Sequence, residues 1–204
     1  MTKFLVCALL LLISCLALGQ ELPAPGSIYW VHPNQQVRVV NLPQVAAAAQ
    51  DPSAVLAAAL EMVLHDKAVC CGSNSALATS VQGAALPLSA VAARLQGRHA
   101  LSDGRPISIR ADYVPQSAAN SDLIIAALRD QHAPLIEFKS QLYVLYGAIF
   151  TETRYYNGSR QFAIQKLLLL DPRYSGPQRR VELNRESGDW ASVQGLLTVT
   201  VQRL

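Results

Sequence analysis

The dipeptide Asn157-Gly158 sits between two strand-like runs, residues 141–151 and 161–170. Asn-Gly accepts the positive φ values of a tight hairpin at little cost, so flanking apolar runs are expected to pair antiparallel. Residues 133–139, 180–183 and 195–202 also read as strands. The run Leu167-Leu168-Leu169-Leu170 has no polar alternation, which predicts a central strand covered on both faces. The first half of the chain is different. Residues 46–65 are rich in alanine and leucine, with a break at Asp51-Pro52 that predicts a new helix capped by Asp51, with Pro52 in its first turn. Residues 73–81 have helical character, Pro87-Leu88-Ser89 opens a helix that stops at Gly97, and Ser121-Asp122 caps another that ends near Gln131. Residues 36–42 and 107–113 read as strands within this half. Helices concentrated before antiparallel strands make an α+β pattern.

Residues 1–19 read as a signal peptide. Lys3 supplies the positive start, an uncharged apolar run follows from Phe4 to Leu18, and Ala17-Leu18-Gly19 offers small residues where a signal peptidase cuts. The run is short for a membrane span, which takes about 20 apolar residues. Leu12-Ile13-Ser14-Cys15 also resembles a bacterial lipobox, in which Cys15 would carry a lipid anchor. The chain is therefore expected to be exported, periplasmic or secreted, with Cys15 as its one route to a membrane. Residues 20–42 read as an extended, proline-punctuated arm and residues 43–204 as one domain. The formal charge of +3 is small, and no basic cluster exceeds Arg179-Arg180, so nucleic acid is not an expected partner. Four histidines at no metal-ligand spacing argue against a zinc site, and no cofactor motif occurs.

After removal of the first 19 residues only Cys70 and Cys71 remain. Two adjacent cysteines are not a disulfide scaffold; they suit a reactive thiol or a vicinal disulfide. Cys71 precedes Gly72 and a helix-forming run. The free N–H groups and dipole at a helix start favour a thiolate, and catalysis further requires a base and a group that orients it.

Cys71-Gly72-Ser73-Asn74-Ser75-Ala76-Leu77 resembles the Cys-Gly-x-x-(Ala/Ser)-(Ala/Leu) helix of papain-like cysteine peptidases, closest to the bacterial double-glycine leader peptidases that process bacteriocins. Gln141-Leu142-Tyr143-Val144-Leu145-Tyr146-Gly147 resembles their His-x-Val-Val-Leu-x-Gly strand, with Gln141 in the place of the histidine. Leu169-Leu170-Asp171-Pro172, followed by Gly176, resembles their Asp-Pro element. His65 stands six residues before Cys71, where the family has its oxyanion glutamine. The resemblance spans residues 60–204. It implies a papain-like fold, with a helical half bearing the cysteine and a sheet half bearing positions 141 and 171. It also implies Cys71 as nucleophile, Asp171 as orienter, His65 as oxyanion donor, and a peptide or protein lying in the cleft.

Glutamine cannot take up a proton near neutral pH, so Gln141 does not replace a general base. The expectation is a catalytically degenerate relative that binds peptides or proteins. Two alternatives stand beside it: an active thiol peptidase or acyl-transfer enzyme using Cys71, and a redox module using Cys70-Cys71. Each residue also has a plainer reading. Cys71 can be an inert buried thiol, Asp171 a turn residue and Gln141 the start of a strand. His99 and His132 read as loop histidines, with His32 in the arm. Asn157-Gly158-Ser159 is a glycosylation sequon that the hairpin already explains, and Tyr143, Tyr146, Tyr155 and Tyr156 read as sheet residues.

Overall fold

The computed structural model describes residues 34–48, 51–64, 86–100, 104–155 and 157–204. Among the described residues the strands are β1 (Gln36–Val39), β2 (Gly97–Ala100), β3 (Pro106–Pro115), β4 (Leu135–Phe138), β5 (Gln141–Arg154), β6 (Arg160–Leu170), β7 (Arg180–Asn184) and β8 (Val193–Arg203). The helices among the described residues are α1 (Pro52–Leu64), α2 (Leu88–Leu95) and α3 (Ser121–Arg129). Every strand pair is antiparallel, in one sheet of order β2-β3-β8-β4-β5-β6-β7, with β1 added beside β5. The fold class is α+β, as the segregation of patterns predicts. β1 lies inside the segment 20–42 read as an arm, and it is an integral part of the sheet.

β5 holds the sheet together because it has three partners. Gln141–Val144 pair with β4, and Gly147–Phe150 pair with β1 along the same edge. The other edge pairs with β6 from Val144 to Arg154. Tyr146 is an extra residue where the β5–β6 register shifts, and its carbonyl accepts a hydrogen bond of 2.7 Å from the Val40 amide. A bulge of this kind twists the strand and hands its edge from one neighbour to the next. Gly147 follows at once, and a Cβ there would lie 2.7 Å from the Arg38 carbonyl oxygen. Its missing side chain is what lets the β1 backbone approach.

The hairpin expected at Asn157-Gly158 forms, but as a longer loop than two residues, closed by Arg154 opposite Arg160. Gly158 takes a φ of 82°, and the Asn157 carboxamide oxygen accepts from the Ser159 amide at 2.9 Å. The tight two-residue turn lies elsewhere, at Lys139-Ser140, with φ of 50° and 60°. Both values belong to the left-handed region that a type I′ turn requires. Neither residue type announces it.

Asp51 caps α1 as expected, accepting the Ala54 amide at 3.0 Å and the Ser53 hydroxyl. The cap of α3 is Asn120 rather than Ser121-Asp122, with its side chain accepting from the Leu123 amide at 2.8 Å. Gly97 ends α2 and begins β2, so His99 is a strand residue rather than a loop residue; its Nε2 lies 2.8 Å from the Leu95 carbonyl. Helices α1 and α2 pack on β3, β5 and β8, while α3 packs on β5, β6 and β1. Leu167, Leu168 and Leu169 are fully buried, as a centrally placed strand demands.

Near its hairpin end, β5 carries Glu152, whose side chain is only 4% exposed. Arg154 Nε is 3.0 Å from its carboxylate, Arg160 Nη1 3.5 Å and Arg129 Nη2 3.6 Å. Burial pushes this carboxyl up, but the Arg154 hydrogen bond and the three guanidinium charges outweigh it and hold the group below the usual glutamate range.

Two outcomes follow from this architecture. Gly147→Ala should destabilise the fold by about 2 kcal/mol through backbone overlap, read by urea denaturation. Hydrogen exchange should locate the loosening at residues 36–40, because the obstructing atom belongs to β1. Glu152→Gln should cost about 1 kcal/mol at neutral pH, the partners being partly exposed. The folded carboxyl titrates below its unfolded counterpart, so its stabilisation is complete above an unfolded value near about 4.3. It is lost as pH falls through the lower folded value, and the melting temperatures of wild type and variant should converge there.

Candidate functional site

The Lys139-Ser140 turn makes Gln141 the first residue of β5, with an exposed side chain at the end of the sheet. β6 ends at Leu170, and Asp171 is the first residue beyond it. The Asp171 amide donates to the Arg179 carbonyl at 2.7 Å, and its own carbonyl accepts from the Tyr174 amide at 3.3 Å. These bonds fold residues 171–179 back on themselves and leave Asp171 buried at 3% exposure. Proline at 172 suits such a turn.

Positions 141 and 171 are brought together, as the motif order predicts, but a third side chain stands between them. Arg173 grips Asp171 with both limbs of its guanidinium: Nε donates to Oδ1 at 2.8 Å and Nη2 to Oδ2 at 2.5 Å. The Arg173 amide adds a bond of 3.0 Å to Oδ1. The same Nη2 donates to Gln141 Oε1 at 2.5 Å, which also accepts from the Tyr143 hydroxyl at 2.9 Å. The guanidinium further lies 5.9 Å from the Tyr143 ring centre and 5.8 Å from that of Tyr174.

This network can donate hydrogen bonds but does not move protons. The bond to Asp171 holds Arg173 above its ordinary range despite burial, so it is a permanent cation. Burial, and then the Asp171 charge, push the Tyr143 phenol up, so it remains protonated at neutral pH. Gln141 offers an amide with its oxygen already engaged. Arg179 is buried on the other side of Asp171, with Nε 3.4 Å from the Asp171 carbonyl and no acceptor for Nη2 among the described residues. Burial pulls its guanidinium down.

Gln141 and Arg173 open onto a cavity of about 440 Å³ between the sheet and the helices. Its sheet side includes Glu137, Ser140 and Leu142. Its other wall comes from the first turn of α1, through Pro52, Val55 and Leu56, and from Leu88 and Val91 of α2. The starts of both α1 and α2 line the side of the cavity away from the sheet, through Pro52 and through Pro87 and Leu88, and present an aliphatic surface. Asp51 caps α1.

Cys71 and His65, the expected nucleophile and oxyanion donor, lie outside the described residues, as do Cys15, Cys70, His32, Tyr156, the signal segment and the helical run 73–81. His132 is exposed in the turn after α3, and neither it nor His99 lines the cavity. Among the described residues no three His, Cys, Asp or Glu side chains cluster in a way that could hold a metal, and no helix is long and apolar enough to cross a membrane.

Sequence reasoning missed Arg173, Arg179 and the polar role of Tyr143. An arginine two residues after an Asp-Pro carries no pattern of its own. Its importance arises because the turn aims it back at Asp171.

Removing Arg173 leaves a buried carboxylate without its cation. Arg173→Ala should cost about 2–3 kcal/mol in chemical denaturation, below the full figure for a wholly buried pair because the main-chain bond to Oδ1 survives. Adding Asp171→Asn should recover much of that loss; independent, additive losses would show that the pair is not coupled.

Comparisons with family models, with curated proteins and with solved structures found no match for this chain.

Proposed function

We propose that this protein is an exported, catalytically degenerate relative of the papain-like cysteine peptidases that binds peptides in the cavity between its helices and its sheet. The observation that carries this reading is the Gln141–Arg173–Asp171 relay. A papain-like triad requires a base at position 141 held by the carboxylate at 171. Here the carboxylate is taken up by an arginine, and the arginine reaches a neutral amide. The order of the three motifs supports the papain-like ancestry.

The same relay makes loss of activity resistant to simple reversal. A histidine at 141 would stand beside the Arg173 cation, which disfavours imidazolium and hence a thiolate–imidazolium pair. Purified wild type is expected to leave fluorescein-labelled casein intact between about pH 5 and 8, the range in which a histidine base would titrate. Gln141→His alone should leave it equally inert. Casein hydrolysis by the wild type that disappears in Cys71→Ala would overturn the degenerate reading. Intact mass of protein from its native host tests export. A start at Gln20, or a lipid on Cys15, supports it, and recovery of an intact segment from Met1 refutes it.

A further inference from the structure

The polar end of the cavity is charged in a way that peptide binding in general does not require. Arg173 is only 18% exposed through its side chain, yet just one edge of its guanidinium is engaged. Nε and Nη2 serve Asp171 and Gln141, and the guanidinium also meets the Tyr143 hydroxyl. Among the described residues, Nη1 makes no bond to Asp171 or Gln141 and keeps donor capacity on a group that is already oriented. A planar guanidinium held by a buried carboxylate loses little freedom on taking a second anion. Asp171 does not neutralise the locality, because Arg179 lies against it as a second buried cation. Gln141 adds a carboxamide whose oxygen is occupied and whose Nε2 is left to donate.

The rest of the cavity narrows the ligand. Val55, Leu56, Leu88 and Val91 form an aliphatic wall suited to one branched apolar side chain. Glu137 lines the same space, with no cation at ion-pair distance among the described residues, and it repels a second acid group.

We propose that Arg173 and Gln141 form a carboxylate-binding end to the cavity, so that its ligand is the free C-terminus of a peptide that ends in an aliphatic residue. This rests on the peptide-binding reading above and deepens it. Arg173 receives the terminal carboxylate through Nη1, Gln141 Nε2 donates to its second oxygen, and the last side chain packs on α1 and α2. Asp171 is a positioning residue: it touches no ligand and fixes the plane of the guanidinium.

Fluorescence anisotropy of the full chain tests this with a fluorescein-labelled pentapeptide ending in leucine, as the free acid and as the C-terminal amide. The free acid should bind tighter by about tenfold or more, the scale of one charge-assisted hydrogen bond. In the double variant Arg173→Gln/Asp171→Asn, which removes the ion pair as a unit but leaves Arg179 without its neighbouring carboxylate, that preference should vanish, with circular dichroism to establish that the variant is folded. If the double variant does not fold, Arg173→Lys, which keeps the charge but loses the fork, should reduce the preference severalfold. Equal binding of acid and amide by wild type overturns the carboxylate site and leaves peptide binding standing. A preference that survives in the folded double variant, or undiminished in Arg173→Lys, overturns the assignment to Arg173. N-acetyl-leucine separates the remaining cases. If it binds with the same dependence on Arg173 and neither peptide binds, the carboxylate site stands and the peptide reading falls. If none of the three ligands binds, both fall.

Discussion

One strand edge, shared by two partners, underlies the arrangement of this molecule. β5 offers the first part of its edge to β4 and the later part to β1, and the extra residue Tyr146 marks the change. The backbone of β1 comes so near that only glycine fits at position 147. Because β5 also pairs with β6 on its far side, it fixes the relation of three neighbours at once. The turn before it then determines where Gln141 emerges, and the end of β6 determines where Asp171 lies. The candidate site is a consequence of that register.

The site itself is organised by charge. Asp171 is buried, and a buried carboxylate demands compensation. Compensation comes from Arg173, two residues along the same turn, at hydrogen-bonding distance through two nitrogens. A carboxylate so engaged is not available to a further partner, and the neutral amide at position 141 suits the cation beside it. A glutamine oxygen can accept from the guanidinium that a histidine cation would meet as a like charge.

The opposite wall has a matching character. α1 presents Pro52, Val55 and Leu56 to the cavity, and Asp51 caps its first turn. One side of the cavity is therefore aliphatic, and the other offers fixed donors from Arg173 and Gln141 beside the Glu137 carboxylate. Such a surface suits shape and hydrogen bonding, and its described polar groups, Arg173, Gln141 and Tyr143, are donors that hold their protons at neutral pH.

The sequence by itself determined the α+β class, the positions of most strands, the helix cap at Asp51 and the burial of the apolar run 167–170, complete for residues 167–169 and partial at Leu170. Each of these is written in local signals: hydrophobic period, a proline, an Asn-Gly, an apolar run. What only the tertiary structure decided has no such local signal. The tight turn at Lys139-Ser140 is imposed by the pairing of Phe138 with Gln141, not chosen by residues that favour positive φ. β2 forms because β3 offers it an edge, and the α3 cap falls to Asn120 because its side chain reaches the Leu123 amide. Arg173 became the centre of the site because a turn closed by Arg179 pointed it inward. Side-chain partners are set by which backbone atoms the fold brings within about 3 Å of one another, and that distance is a property of the assembled sheet rather than of any stretch of sequence within it.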